Sequence, residues 1–309
     1  MLANFLEKSK PINFIFYLGL FFCCFLFSVF TNLTADVFTW VKVIENISFL
    51  LLFLAIFFFY HFVVTKNKLT FDHSYSFFLF TLAIVLFTSK LLDFKILTSL
   101  LVYLLFLRKL YSLRSSKNVL QKIFDSGFWL GILCILEPFS MLFFVLIYAA
   151  ILLHQKITIH NLITPIIAFI SPLIIFFSYF LWNNTTEVFF NHFYLKLSYT
   201  FSIYSFDATL YVFTTVLLLA FFSILLKSPK TLSVNNTFKK SWLLLIINTV
   251  ITVLFALAIS KKNGTEIVFF LVPASIIIAN GFEVIQKNYI KNILWCLLIA
   301  ATIITFFWL

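Results

Sequence analysis

Residues 126–153 read SGFWLGILCILEPFSMLFFVLIYAAILL, twenty-eight positions with no basic side chain and one polar interruption, Glu137-Pro138. As a single helix the stretch would run about 42 Å at about 1.5 Å per residue, too long for a hydrocarbon core of about 30 Å without strong tilt. Proline cannot donate a backbone N–H and disfavours a helical residue before it, so the break belongs at Glu137-Pro138. Two antiparallel crossings are therefore expected here.

That break sets the sidedness of everything downstream, because Lys and Arg in short loops favour the cytoplasmic side. With the break and a cytoplasmic N-terminus, 16 of the 22 basic residues fall in inner segments and 6 in outer ones, whereas one unbroken helix gives 12 against 10. The first arrangement predicts eleven spans, near 13–31, 47–64, 75–89, 94–108, 119–136, 138–153, 161–182, 208–226, 242–259, 266–281 and 292–309, with the C-terminus outside. Indoles favour the membrane–water interface. Trp40, Trp182 and Trp308 fall at outer span ends and Trp242 at an inner one, while Trp129 and Trp295 read as packing residues.

Composition supports a bilayer as solvent. Apolar residues make up 63% of the 309 positions and charged residues 11%, too few to cover a water-soluble surface. Period-2 alternation of the barrel kind is absent, so the expected fold is an all-α polytopic bundle, one membrane-embedded unit over 1–309. A net charge of +11 would suit nucleic acid only if it gathered on one solvent face, and here the basic residues are spread through loops, so no nucleic-acid partner is expected. The 46 Phe are read as lipid-facing and interhelical packing. Cys23, Cys24, Cys134 and Cys296 lie inside apolar spans, with no disulfide or metal spacing. Lys8 and Lys10 precede the first span as in a signal peptide, but no small-x-small site closes it, so a retained anchor is expected.

Few residues stand out chemically. Glu137, at the turn of the hairpin, needs water, a cation or a protein partner, and could bind substrate or shuttle protons if it met a water-filled cavity; a hairpin tip at headgroup level is the simpler reading. Asp36 and Glu45 flank Lys42 in the first outer loop, TNLTADVFTWVKVIEN, where a carboxylate could act as a general base. Lys261 and Lys262 form an outer pair suited to phosphate, or simply to headgroups. His154 and His160 bracket HQKITIH with no third ligand, so no metal site is expected. Arg108, Lys109, Arg114, Lys117 and Lys122 crowd the longest inner loop, read as topogenic charge touching anionic lipid, or as a dock for a cytoplasmic partner. Residues 183–207 mix apolar and polar side chains as an interfacial helix would. No phosphate-binding Gly-rich loop, nucleophile elbow or zinc helix motif is found, which argues against nucleotide-driven chemistry.

Three stretches together resemble the polyprenyl-phosphate-dependent glycosyltransferases of the GT-C membrane fold: GFWLGILCILEPFSMLFFVLIYAAILL, LITPIIAFISPLIIFFSYFLW and SKKNGTEIVFFLVPASIIIANG. That resemblance covers about a quarter of the chain and implies a lipid-linked sugar donor, a divalent metal if the chain is an enzyme, Asp36 as base, and Lys261 and Lys262 on the departing phosphate. Glu137 would orient a sugar hydroxyl or bind metal. The first outer loop is short for that family and lacks its paired acidic motif. The chain also resembles Phe-rich polytopic proteins of the inner membrane in AT-rich bacteria. The leading expectation is an inner-membrane protein of envelope biogenesis with a GT-C-like fold, a non-catalytic subunit or scaffold among membrane lipid and other membrane-protein subunits. A glycosyltransferase and a transporter are the alternatives.

Overall fold

The computed structural model describes residues 5–8, 10–35, 39–88, 91–194, 208–231, 233, 236–259 and 266–308. Among these the chain forms twelve α-helices and no strand. They are α1 (Pro11–Ala35), α2 (Trp40–Lys66), α3 (Tyr75–Phe87), α4 (Phe94–Tyr111), α5 (Val119–Leu136), α6 (Phe144–Leu153), α7 (Ile159–Trp182), α8 (Thr186–His192), α9 (Ala208–Thr231), α10 (Asn236–Ala258), α11 (Ile267–Val284) and α12 (Asn288–Trp308). Nine helices are long and apolar enough to cross a membrane, and Tyr75–Phe87 and Pro138–Leu153 are shorter apolar segments. The protein is a polytopic helical membrane protein. Its outer surface carries Ile15, Phe30, Leu51, Ile175 and Leu297 in the open, as a surface facing lipid would.

Residues 126–153 break where proline requires it. Helix α5 ends at Leu136, Glu137 is extended (φ −134°, ψ 97°), and Pro138–Phe143 forms a 3-10 turn leading into α6. The return is antiparallel, since Lys156 beyond the end of α6 reaches Ser116 before the start of α5 (Nζ–Oγ 3.1 Å).

Helix α11 is the axis of the bundle. Every residue from Ile267 to Phe282 is buried, as a helix apolar on every face demands, with Ser275 and Asn280 as its polar members, and α3, α4, α9 and α10 pack around it. Because lipid is as apolar as leucine, polar side chains join such helices. Tyr103 donates to Asn248 Oδ1 (2.8 Å), Asn248 Nδ2 donates to the Tyr111 hydroxyl (3.3 Å), and Tyr60 meets Ser275 (2.7 Å). Trp242, near the start of α10, is buried and donates to Ser228 (3.3 Å), because α10 packs against α11 along its length. Trp295 is buried, while Trp40 and Trp182 stand exposed.

Candidate functional site

The loop after α2, KNKLTFDHS over residues 66–74, is tied down by four parts of the chain. Asn67 O accepts from Arg114 (2.8 Å), and Leu69 O accepts from Asn280 Nδ2 on α11 (3.0 Å). Ser74 donates to Leu6 O (2.9 Å) and meets the Tyr17 hydroxyl (2.8 Å). His73 lies 3.6 Å from Glu283. Lys68 holds a left-handed φ of 49°, a conformation that costs an L-residue about 1–2 kcal/mol and is retained here by these surroundings.

Beside this loop opens a pocket of about 470 Å³ whose charged lining is Lys66, Lys68, Arg108, Lys109, Arg114 and Lys122. The reason is local. Helices α2 and α4 both end here, and their terminal carbonyls and dipoles favour cations in the last turn, where Lys66, Arg108 and Lys109 stand. Lys122 donates to Ser112 O (2.8 Å) and Ser115 Oγ (2.6 Å), and Lys109 pairs with Asp125 (2.6 Å). The Arg108 guanidinium lies 4.9 Å from the Phe62 ring centroid and 5.9 Å from that of Phe59. Like charges gathered on one pocket repel, and with Lys109 already paired to Asp125 the other five cations gain from an anion. Phosphate suits it, through charge-assisted hydrogen bonds.

A second charged group sits across the 66–74 loop. Lys227 on α9 is buried, donates to Glu283 on α11 (2.8 Å), and stacks over Phe71 (4.8 Å) and Phe238 (5.5 Å). Sequence reading counted Lys227 only as a topogenic charge and passed over Glu283. Its one signal was a carboxylate in the last turn of an apolar span.

The whole chain, residues 1–309, matches the family described as a family of unknown function (DUF6427). The chain belongs to that family. No curated protein and no solved structure matches it.

In this DUF6427 protein, Asp36, Lys261 and Lys262 lie outside the described residues. Glu137 ends α5 and pairs with Lys95 in the first turn of α4 (2.9 Å), at the opposite end of the bundle from the basic pocket. His192 of α8 takes up the carbonyl of Ile135 at the same break (2.7 Å). Residues 186–192 form the helical part of the stretch expected to lie at the interface, and Phe189 and Phe193 pack it on Phe176 of α7; residues 195–207 lie outside the described residues. Among the described residues no three His, Cys, Asp or Glu side chains gather as a metal site would need.

Proposed function

We propose that this protein is a non-catalytic subunit or scaffold of the bacterial inner membrane whose basic end grips the phosphate of an anionic lipid headgroup. The pocket of six cations at the ends of α2 and α4 is the observation that carries this reading. A lipid source is favoured over a soluble one because Arg108 rests on Phe59 and Phe62, one turn from the exposed Phe58, so cationic and lipid-facing surfaces adjoin. The packing of α11 supports the non-catalytic part, since α3, α4, α9 and α10 enclose it and Tyr60 is bonded to Ser275 and Tyr103 to Asn248.

The nine long apolar helices, the two shorter apolar segments and the proline-broken hairpin support a multi-span arrangement with the N-terminus inside. Sugar transfer would require Asp36, Lys261 and Lys262 to converge at the outer face, and among the described residues Glu137 has Lys95 as its ion-pair partner.

The test is thermal unfolding of the full chain in nanodiscs. Phosphatidylglycerol discs should raise the melting temperature above that in phosphatidylcholine discs, and Lys66→Gln with Arg108→Gln should remove most of the rise. Equal melting temperatures in the two lipids sink the proposal. A full rise on adding inorganic phosphate to phosphatidylcholine discs would replace the headgroup with a soluble anion.

A further inference from the structure

Behind the 66–74 loop, between the first turns of α1, the C-terminal half of α2 and the start of α3, lies a second cavity of about 160 Å³, which shares Lys68 with the basic pocket. A single water occupies about 30 Å³ of liquid, so the space holds several, yet it is smaller than the roughly 300 Å³ at which drug-sized sites begin. Its inner wall is polar. Asn13 and Tyr17 are each 1% exposed, and His73 and Ser74 each 8%.

Most of these groups are satisfied within the protein. Asn13 Nδ2 donates to Phe5 O (2.8 Å) and Lys8 O (2.9 Å), which fixes the amide so that its oxygen is the group left over. Tyr17 and Ser74 satisfy each other (2.8 Å), and Ser74 continues to Leu6 O (2.9 Å). Three atoms remain. Asn13 Oδ1 and both ring nitrogens of His73 are buried and have no hydrogen-bond partner, Nε2 lying 3.6 Å from Glu283, and leaving such a group unpaired costs about 1–3 kcal/mol. Buried polar groups are normally paired, so each orphan marks where something else binds.

The rim indicates what. Lys10 and Lys68 stand at the mouth with Asp72 and Thr65, and the end of the bundle to which they belong carries most of the chain's basic residues. A solute entering here meets cations first and an unpaired carbonyl acceptor at the back. We propose that this cavity binds a small soluble organic anion that also carries a hydroxyl or amino donor, its anionic group held by Lys10 and Lys68 and its donor given to Asn13 Oδ1. Water satisfies the orphans but leaves the rim, with two cations against the one carboxylate of Asp72, a positive charge in excess, which is why the ligand is an anion.

The test uses the full chain in phosphatidylcholine nanodiscs, titrated calorimetrically with glycerol 3-phosphate, L-lactate and D-glycerate, and with glycerol as the uncharged control. At least one of the three charged probes should bind saturably at millimolar concentration or tighter, and glycerol should not. Lys10→Gln should weaken binding about tenfold, the worth of one charge-assisted hydrogen bond. Thr65→Trp, which plugs the mouth from an exposed position, should abolish it, while the exposed Lys117→Gln, away from the cavity, should change nothing. Repeating the titration with Lys66→Gln/Arg108→Gln, which disables the headgroup pocket and leaves the shared Lys68 in place, should leave the affinity intact and so separates the two sites. Absence of saturable binding by all three probes to monodisperse protein overturns the proposal. So does binding that survives both Lys10→Gln and Thr65→Trp, or binding that Lys66→Gln with Arg108→Gln abolishes.

Discussion

His154, just past the end of α6, shows how its neighbours set the state of one side chain. Burial first, and then the charges of Lys240, Lys156 and Arg114, push its pKa down to about 4, so the ring is neutral at physiological pH. The unfolded chain titrates near the ordinary 6.5 and takes up its proton first as pH falls. His154 therefore contributes stability that is fully present above pH 6.5 and is lost progressively between 6.5 and 4. Melting temperature measured across that window should fall, and His154→Gln should flatten the fall while leaving the value near pH 7.5 little changed. An unchanged slope in the variant would remove His154 from the pH response. Sequence reading set His154 beside His160 as a rejected metal pair; what it could not supply was Lys240, brought from α10 by tertiary packing.

Between elements, α5 and α7 approach closely. A Cβ on Gly131 would lie 2.5 Å from Phe169 O and 2.5 Å from Pro172 Cγ, and one on Gly127 would lie 2.6 Å from Pro165 O. The two glycines are four residues apart, the small-xxx-small spacing that lets membrane helices touch along their backbones. On the facing helix, Pro172 frees the carbonyl of Ala168, and Ser171 donates to it (2.8 Å), so α7 runs unbroken from Ile159 to Trp182. Gly131→Val should force these backbones apart and cost about 3 kcal/mol, at the upper end of overpacking penalties. Unfolding by graded SDS would measure this, with Gly19→Val as control because nothing stands within 4 Å of a Cβ there. Equal effects at the two glycines would refute the close-packing account. The glycine spacing was legible in residues 126–153, but that stretch spoke more loudly through its proline.

Over the whole molecule, contacts sort the loops by end. Arg114, Lys156 and Lys240 surround His154, and Lys227 meets Glu283, whereas Lys95, Glu137 and His192 cluster at the other end. This matches the grouping that the basic residues imply with a break at Glu137-Pro138. Placing the basic end in the cytoplasm predicts the outcome of labelling in a background lacking Cys23, Cys24, Cys134 and Cys296. Lys117→Cys should resist an impermeant maleimide applied from outside, and Asn183→Cys should react. Both reacting from the same side would refute the arrangement.

The helical membrane class, the positions of the apolar segments and the break at Glu137-Pro138 follow from the sequence alone. They depend on chain-local physics: apolar length against bilayer thickness, the missing proline N–H, and basic residues counted loop by loop. Only the tertiary structure decided that Lys66, Arg108 and Lys122 share one pocket, that Lys227 is buried against Glu283, and that Asn13 and His73 close a polar cavity. Those groupings join residues from different helices. Their proximity follows from how α2, α4 and α5 pack and how α9 lies on α11, which no local pattern of apolar residues encodes, because in lipid an outward and an inward leucine read alike.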